Sequence, residues 1–294
     1  MKTRRKGFRS LELTVKKLIN NFSSGIHRSY LMDNSGDIDV VREYQPGDKR
    51  LDCKSSLRAG KIMSRVFNPE KLISVFIILD ISSSGFYGLS NIKIDVGIEA
   101  SLYLSFLATE AGDSIGLITF DDKVEIFHEP SLNAQNVILT LENLYKEILF
   151  GGEKRGTNLE LALRKCAQLE ISNCLLVVIS DFLFPHTSQL IRLLKQFNAG
   201  TNNCSIGLVL VNEKEWLLQK RNFTAEVVDA ESDTATRINF NSGKLEDVGR
   251  ILFAEWKKET AAFLNKSRCQ PIFIDINHDN YLMPLVRHFL KIQT

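Results

Sequence analysis

The sequence predicts an α/β domain built on a doubly wound, mainly parallel sheet, and three observations carry that expectation. Short apolar runs rich in Ile, Val, Leu and Phe recur at 72–80, 114–120, 173–181, 205–211 and 271–276. They are mostly continuous rather than alternating, as strands covered on both faces are. Between them lie segments with apolar residues at three- and four-residue spacing, and a β-α-β-α order calls for right-handed crossovers on a parallel sheet.

Taken in order, all five runs are expected to be inner strands. Helices are expected at 92–111, 133–149, 158–169 and 187–197. Asp121-Asp122-Lys123 forms a tight turn into Val124–Phe127, which makes that segment an antiparallel edge strand and the two aspartates turn residues rather than catalytic acids. Residues 222–240 alternate polar and apolar around Asp229–Asp233, the pattern of a β-hairpin inserted at about 213–240. A long helix at about 244–266, the strand at Pro271 and a final helix from Tyr281 complete the chain. Residues 1–70 carry Gly25, Gly36, Pro46-Gly47 and Gly60 with little periodicity after residue 19. They read as an N-terminal extension of short strands and turns packed on an α/β body at 71–294.

The 294 residues, 44% hydrophobic and 24% charged, suit a folded chain of one large or two small domains. The net charge of +2 gives no global reason to expect a nucleic-acid binder. The charge is uneven, however: residues 1–70 hold 15 Lys and Arg against 8 Asp and Glu, a net of +7. No uninterrupted apolar stretch exceeds six residues, Val75–Leu79 being one of the longest, far short of the ~18 a membrane span needs. Charges at Glu12, Lys16 and Lys17 stand where a signal peptide would be apolar, so a cytoplasmic location is expected. The five cysteines include no CxxC pair, and four lie in or beside apolar segments, as buried free thiols do.

The residues that carry chemistry fall at the carboxyl ends of three expected strands, where open α/β sheets bind ligands. Asp80-Ile-Ser-Ser-Ser84 ends the first, Thr157 precedes a helix, and Asp181 follows the strand at 173–181. Two carboxylates and three hydroxyls are hard oxygen donors, the set that Mg²⁺ takes in octahedral geometry. The DxSxS spacing puts Asp80, Ser82 and Ser84 on one side of a surface loop. With no His or Cys nearby, zinc is disfavoured.

Asp80, Ser82, Ser84, Thr157 and Asp181 resemble, in order, the metal-ion-dependent adhesion site of von Willebrand factor A domains. That resemblance, over about 72–212, implies a Rossmann-like sheet. It also implies direct or water-mediated coordination of the ion by the serines and Thr157, with both aspartates acting largely through water. A partner's acidic side chain would fill the open position. Mn²⁺ or Ca²⁺ are other ions such a site takes.

A second segment narrows the family. Arg42-Glu-Tyr-Gln-Pro-Gly-Asp-Lys-Arg50, then Asp52-Cys-Lys-Ser-Ser56 and Arg58, is similar to the R-x-Y-x-x-G-D-x-R-x-I-D-W-x-x-S-A-R segment of the bacterial DUF58 proteins. Leu51, Cys53 and Ser56-Leu57 depart from that pattern, and Asn212 stands where the family often has Asp. The resemblance implies association with MoxR-type AAA+ ATPases. Arg42, Tyr44, Asp48, Arg50 and Asp52 read first as a Pro-Gly turn braced by Arg–Asp pairs, with contact to a partner as the alternative.

Enzyme readings are less complete. A haloacid-dehalogenase-type phosphatase needs a second Asp where Ser82 stands, and Ser84 lacks the preceding glycine of a nucleophile elbow. His186, the nearest base in sequence, reads as an exposed helix-start residue. No GxxxxGK[ST] loop is present, so ATP hydrolysis belongs to another chain. The expected function is a non-enzymatic, Mg²⁺-dependent interaction protein. The alternatives are a hydrolase or phosphatase using the same pocket, and a nucleic-acid-associated factor acting through the basic N-terminus.

Overall fold

The computed structural model describes residues 40–44, 53–66, 73–86, 92–147, 156–169, 171–216, 224–228, 235–239 and 245–290. Near the N-terminus β1 (Val40–Glu43) pairs antiparallel with β2 (Met63–Val66), and α1 (Cys53–Ala59) lies between them in sequence. The short strands were expected, the helix was not. Seven residues are too few to establish a helical period. The helix stops at Gly60, whose φ of +65° is a left-handed conformation open to glycine.

The body follows the predicted alternation: β3 (Ser74–Asp80), α2 (Lys93–Ala111), β4 (Ser114–Phe120), β5 (Val124–Ser131), α3 (Gln135–Glu147), α4 (Leu159–Ala167), β6 (Cys174–Ser180), α5 (Ser188–Asn198), β7 (Cys204–Val211) and the short α6 (Glu213–Trp216). The antiparallel hairpin β8 (Thr224–Val228) and β9 (Ala235–Asn239) follows, then α7 (Leu245–Lys266), β10 (Cys269–Asp275) and α8 (Met283–Leu290). The six-stranded sheet has the order β10-β7-β6-β3-β4-β5, parallel throughout except for β5. In order of appearance this is 6-5-4-1-2-3, the doubly wound arrangement.

Alternate residues of each central strand enter two cores. Val75, Ile77 and Leu79 meet Ile98 and Leu102 of α2, Leu141 of α3 and Leu285 of α8 on one face. Phe76 and Ile78 meet Leu163 of α4, Leu194 of α5 and Leu264 of α7 on the other. This double coverage is why the strands read as unbroken apolar runs.

One of the five runs is not an inner strand. β10 lies at the edge of the sheet, and its exposure alternates along the strand. Pro271, which has no N–H to donate, is tolerated there opposite Gly207 of β7. The apolar look of β10 misleads because Phe273 is only half-buried, with the Lys257 ammonium 5.2 Å from its ring centre.

Close packing sets a firm expectation at β4. Phe76 pairs with Gly116, and a Cβ at Gly116 would lie 2.4 Å from the Phe76 ring and 3.0 Å from the His128 carbonyl. Phe76 is fully buried and has no room to yield. Gly116→Ala should lower stability by about 1–3 kcal/mol, the usual cost of overpacking, read from a denaturant midpoint. An unchanged midpoint would contradict this packing.

Candidate functional site

From β3 the chain winds outward through β4 and β5, then returns to place β6 on the other side of β3. Crossovers leaving β3 and β6 in opposite senses open a crevice at their carboxyl ends. Asp80 is the last residue of β3, and Asp181 directly follows β6.

Asp80 accepts the Ser82 amide through Oδ1 at 2.9 Å and the Ser180 hydroxyl through Oδ2 at 2.6 Å. A 3-10 turn at Ser83–Phe86 curls the chain so that the Ser82 and Ser84 hydroxyls come within 3.2 Å. Asp181 accepts the Leu183 amide through Oδ1 at 3.2 Å. Four of the five predicted residues are therefore joined in one bonded cluster, with Ser180 and Lys93 as links between the β3 and β6 ends. Thr157 lies at the same end of the sheet: Ile81 donates to the Phe120 carbonyl at 2.8 Å, and Asn158 donates to the Asp121 carbonyl at 2.6 Å. The serines are not a loose surface loop, because Ser82 is 0% exposed and Ser84 half-buried.

Lys93 was not among the residues singled out from the sequence. Its ammonium donates to Asp181 Oδ2 at 2.9 Å, pairs with Glu215 Oε2 at 2.8 Å and reaches the Ser84 carbonyl at 3.4 Å. Its side chain is 5% exposed. Burial alone would lower the lysine pKa, but the Asp181 and Glu215 charges outweigh it and hold the ammonium above its ordinary value. A signal existed in the sequence. A lysine in the first turn opposes the helix dipole, so at the head of an apolar helix it asks for an acidic partner.

Asp80 has the opposite balance. Its hydrogen bonds come from neutral donors, and burial, followed by repulsion from Asp181, raises its pKa to about 7. Beside it Phe182, buried, adopts φ +53°, a conformation uncommon for a bulky residue. Its amide donates to Ser180 Oγ at 2.9 Å, the oxygen whose hydrogen goes to Asp80.

Glu215 is itself held. The Asn212 side-chain amide donates to Glu215 Oε1 at 2.7 Å and accepts from Asn277 at 2.8 Å, and Asn277 also donates to Asp275. An aspartate at 212 would repel Glu215. The asparagine lets a polar chain run along the strand ends from β10 to Lys93.

Among the described residues no three of His, Cys, Asp and Glu gather as metal ligands. The oxygens here are two carboxylates with the Ser82 and Ser84 hydroxyls, and among the described residues Asp80 is bonded by neutral donors, the Ser82 amide and the Ser180 hydroxyl. Hard donors and an unbalanced carboxyl fit an ion of the Mg²⁺ type.

Other expectations are settled nearby. Asp121 accepts the Lys123 amide at 3.0 Å and forms the foreseen turn, although it is fully buried. His186 is not an exposed helix-start residue: it is half-buried, stacked on Phe263 at 4.3 Å, with Nε2 3.3 Å from the Phe182 carbonyl. Burial lowers its pKa. Cys166, Cys174 and Cys269 are buried free thiols and Cys204 is half-buried. Burial pushes Cys166 and Cys269 up to about 12. Arg42 lies in β1 opposite Ser64, and Tyr44 is 39% exposed with its amide bonded to the Ile62 carbonyl at 2.8 Å. Asp48, Arg50 and Asp52 lie outside the described residues.

Among the described residues no helix is long and apolar enough to cross a membrane. The uncharacterized protein Rv1480 of Mycobacterium tuberculosis is 24% identical over 180 residues, 60% of this chain and 56% of that protein, so the chain matches little more than half of this relative's length. The conserved hypothetical protein BatB of Bacteroides thetaiotaomicron is 13% identical over 75% of this chain and 100% of that structure, with a TM-score of 0.45. The VWA domain of SpRpn10 is 12% identical over 74% of this chain and 95% of that structure, with a TM-score of 0.37. Residues 40–250 match the family described as "Protein of unknown function DUF58". That span takes in β1, the Asp80 turn, Asp181, Lys93 and Glu215, and the chain belongs to the DUF58 family.

Proposed function

We propose that this protein is a non-enzymatic, Mg²⁺-dependent adaptor that binds an acidic side chain of a protein partner, and that it works with a MoxR-type AAA+ ATPase in a chaperone-like or maturation system in the cytoplasm. The observation that carries this reading is the convergence of Asp80, Ser82, Ser84 and Asp181 at the switch point, with Thr157 at the same end of the sheet. Ser82, Ser84 and Thr157 would supply hydroxyl oxygens to the ion, and Asp80 and Asp181 its neutralising charge. Mn²⁺ or Ca²⁺ would be held by the same donors. When bound, the ion supplies a Lewis-acidic position for a partner's carboxylate, which makes binding conditional on both metal and acid.

The ATPase partner is drawn from the similarity of the Arg42–Arg58 segment to DUF58 proteins. Exposed Tyr44 is in keeping with a contact role for that segment. A non-enzymatic role is supported by His186, whose ring is engaged by Phe263 and Phe182 rather than by a serine of the site.

A pull-down from native lysate tests the reading. The MoxR-type ATPase or its client should be retained with Mg²⁺ and released by EDTA. Recovery indifferent to EDTA would overturn the metal dependence. Hydrolysis of a generic phosphoester that is lost in Asp80→Asn would replace the adaptor with a phosphatase.

A further inference from the structure

Lys93 is in an unfavourable place on two counts. It stands in the first turn of α2, where the helix dipole repels a cation. Its ammonium is also withdrawn from water, which costs several kcal/mol unless the charge is paired with good geometry. Its contacts account for the placement: Asp181 at 2.9 Å, Glu215 at 2.8 Å and the Ser84 carbonyl at 3.4 Å. Two of these three residues belong to the candidate ion site. The ammonium therefore occupies part of the oxygen cluster that a divalent ion would use.

The two carboxylates that hold Lys93 differ in their surroundings. Asp181 is buried, at the end of β6, and bonds to the Leu183 amide. Glu215 is 26% exposed and fixed from the far side by Asn212, which is tied to Asn277. Lys93 thus has one partner inside the site and a second, pre-positioned partner on its solvent side. An ammonium leaving Asp181 would still be paired on Glu215, so release need not strand a buried charge.

We infer that Lys93 is a tethered cation that competes with the divalent ion for Asp181, and that Glu215, positioned by Asn212, is where its ammonium rests when the ion enters. This rests on the metal reading above and adds its regulation. The metal-free site is held together by an internal charge, and ion affinity is set by the exchange of Lys93 between two carboxylates. A change that draws Lys93 toward Glu215 opens the site. A change that weakens Glu215 keeps Lys93 on Asp181 and closes it.

Calorimetric titration of the full chain with MgCl₂ tests this. Lys93→Met alone leaves two acidic groups without their cation and endangers folding, so the main variant is Lys93→Met with Glu215→Gln. It removes one positive and one negative charge, and the net charge of the cluster is that of the wild type. A gain in affinity then reports removal of the competitor rather than a more acidic site.

The double variant should bind Mg²⁺ tenfold or more tightly than the wild type, about 1.4 kcal/mol. Its melting temperature should rise more on Mg²⁺ addition than that of the wild type. Glu215→Gln alone should bind Mg²⁺ severalfold more weakly, and Lys93→Arg, which keeps the charge, should show no gain. A double variant with wild-type or weaker affinity overturns the role of Lys93 while the metal reading stands. Absence of Mg²⁺ binding in both the wild type and a folded double variant overturns the metal reading, and this inference with it.

Discussion

Replacing Ser82 and Ser84 together by alanine is expected to abolish measurable Mg²⁺ binding, a loss of at least about 100-fold or 2.7 kcal/mol. The two hydroxyls lie 3.2 Å apart at the turn after β3 and would be direct oxygen donors of the proposed site. Carboxylates alone would leave an ion that prefers six oxygens dependent on water at those positions. The fold should survive. The serines are hydrogen-bonded to each other, and removing both partners leaves neither hydroxyl of that pair orphaned. Titration calorimetry, with circular dichroism as the control for folding, checks the result. Unchanged affinity in a folded double mutant would remove Ser82 and Ser84 from the ion's ligands.

The second large effect concerns Asp80 and pH. In the unfolded chain its carboxyl ionises near 3.8, whereas in the folded protein burial and the charge of Asp181 delay ionisation to about 7. Between those values the folded state binds more protons than the unfolded state, so the stability of the metal-free protein falls as pH rises. At about 1.4 kcal/mol per pKa unit, the full effect above neutral pH is on the order of a few kcal/mol. Asp80→Asn should remove this slope, since an amide still accepts the Ser82 N–H and can donate toward Ser180. Urea denaturation in EDTA at pH 5 and pH 8 makes the comparison. The wild type should be clearly weaker at pH 8, and the variant nearly equal at both. Equal slopes in the two proteins would show that Asp80 is not the group responsible.

Much of the site was legible because the DxSxS turn is local. Asp80, Ser82 and Ser84 lie within five residues, and their mutual bonds form whenever β3 ends where it does. Lys93 was harder to find because nothing near it in the chain explains it. Its bonded partner Asp181 is 88 positions away, and Asp80 and Ser180 are 100 apart. Such pairs exist only once β3 and β6 are neighbours. His186 was misjudged for the same reason, since the ring that covers it, Phe263, belongs to α7.

The sequence by itself determined the principal strands and helices of the body, though not the short α6 at Glu213–Trp216, together with the parallel winding and the antiparallel strand after Asp121-Asp122. Burial on both faces of a sheet leaves continuous apolar runs, and crossover helices leave a 3.6-residue period, both readable in a window of a dozen residues. Only the tertiary structure decided that the opposite edge is β10, which reads as an inner strand and is not. It also decided the charge state of the site. Whether Asp80 keeps its proton to about 7, and whether Lys93 stays charged in a buried place, depends on desolvation and on carboxylates brought together by the strand order. Neither quantity is a property of a segment, because each arises from charges far apart in the chain that meet where β3 and β6 lie side by side.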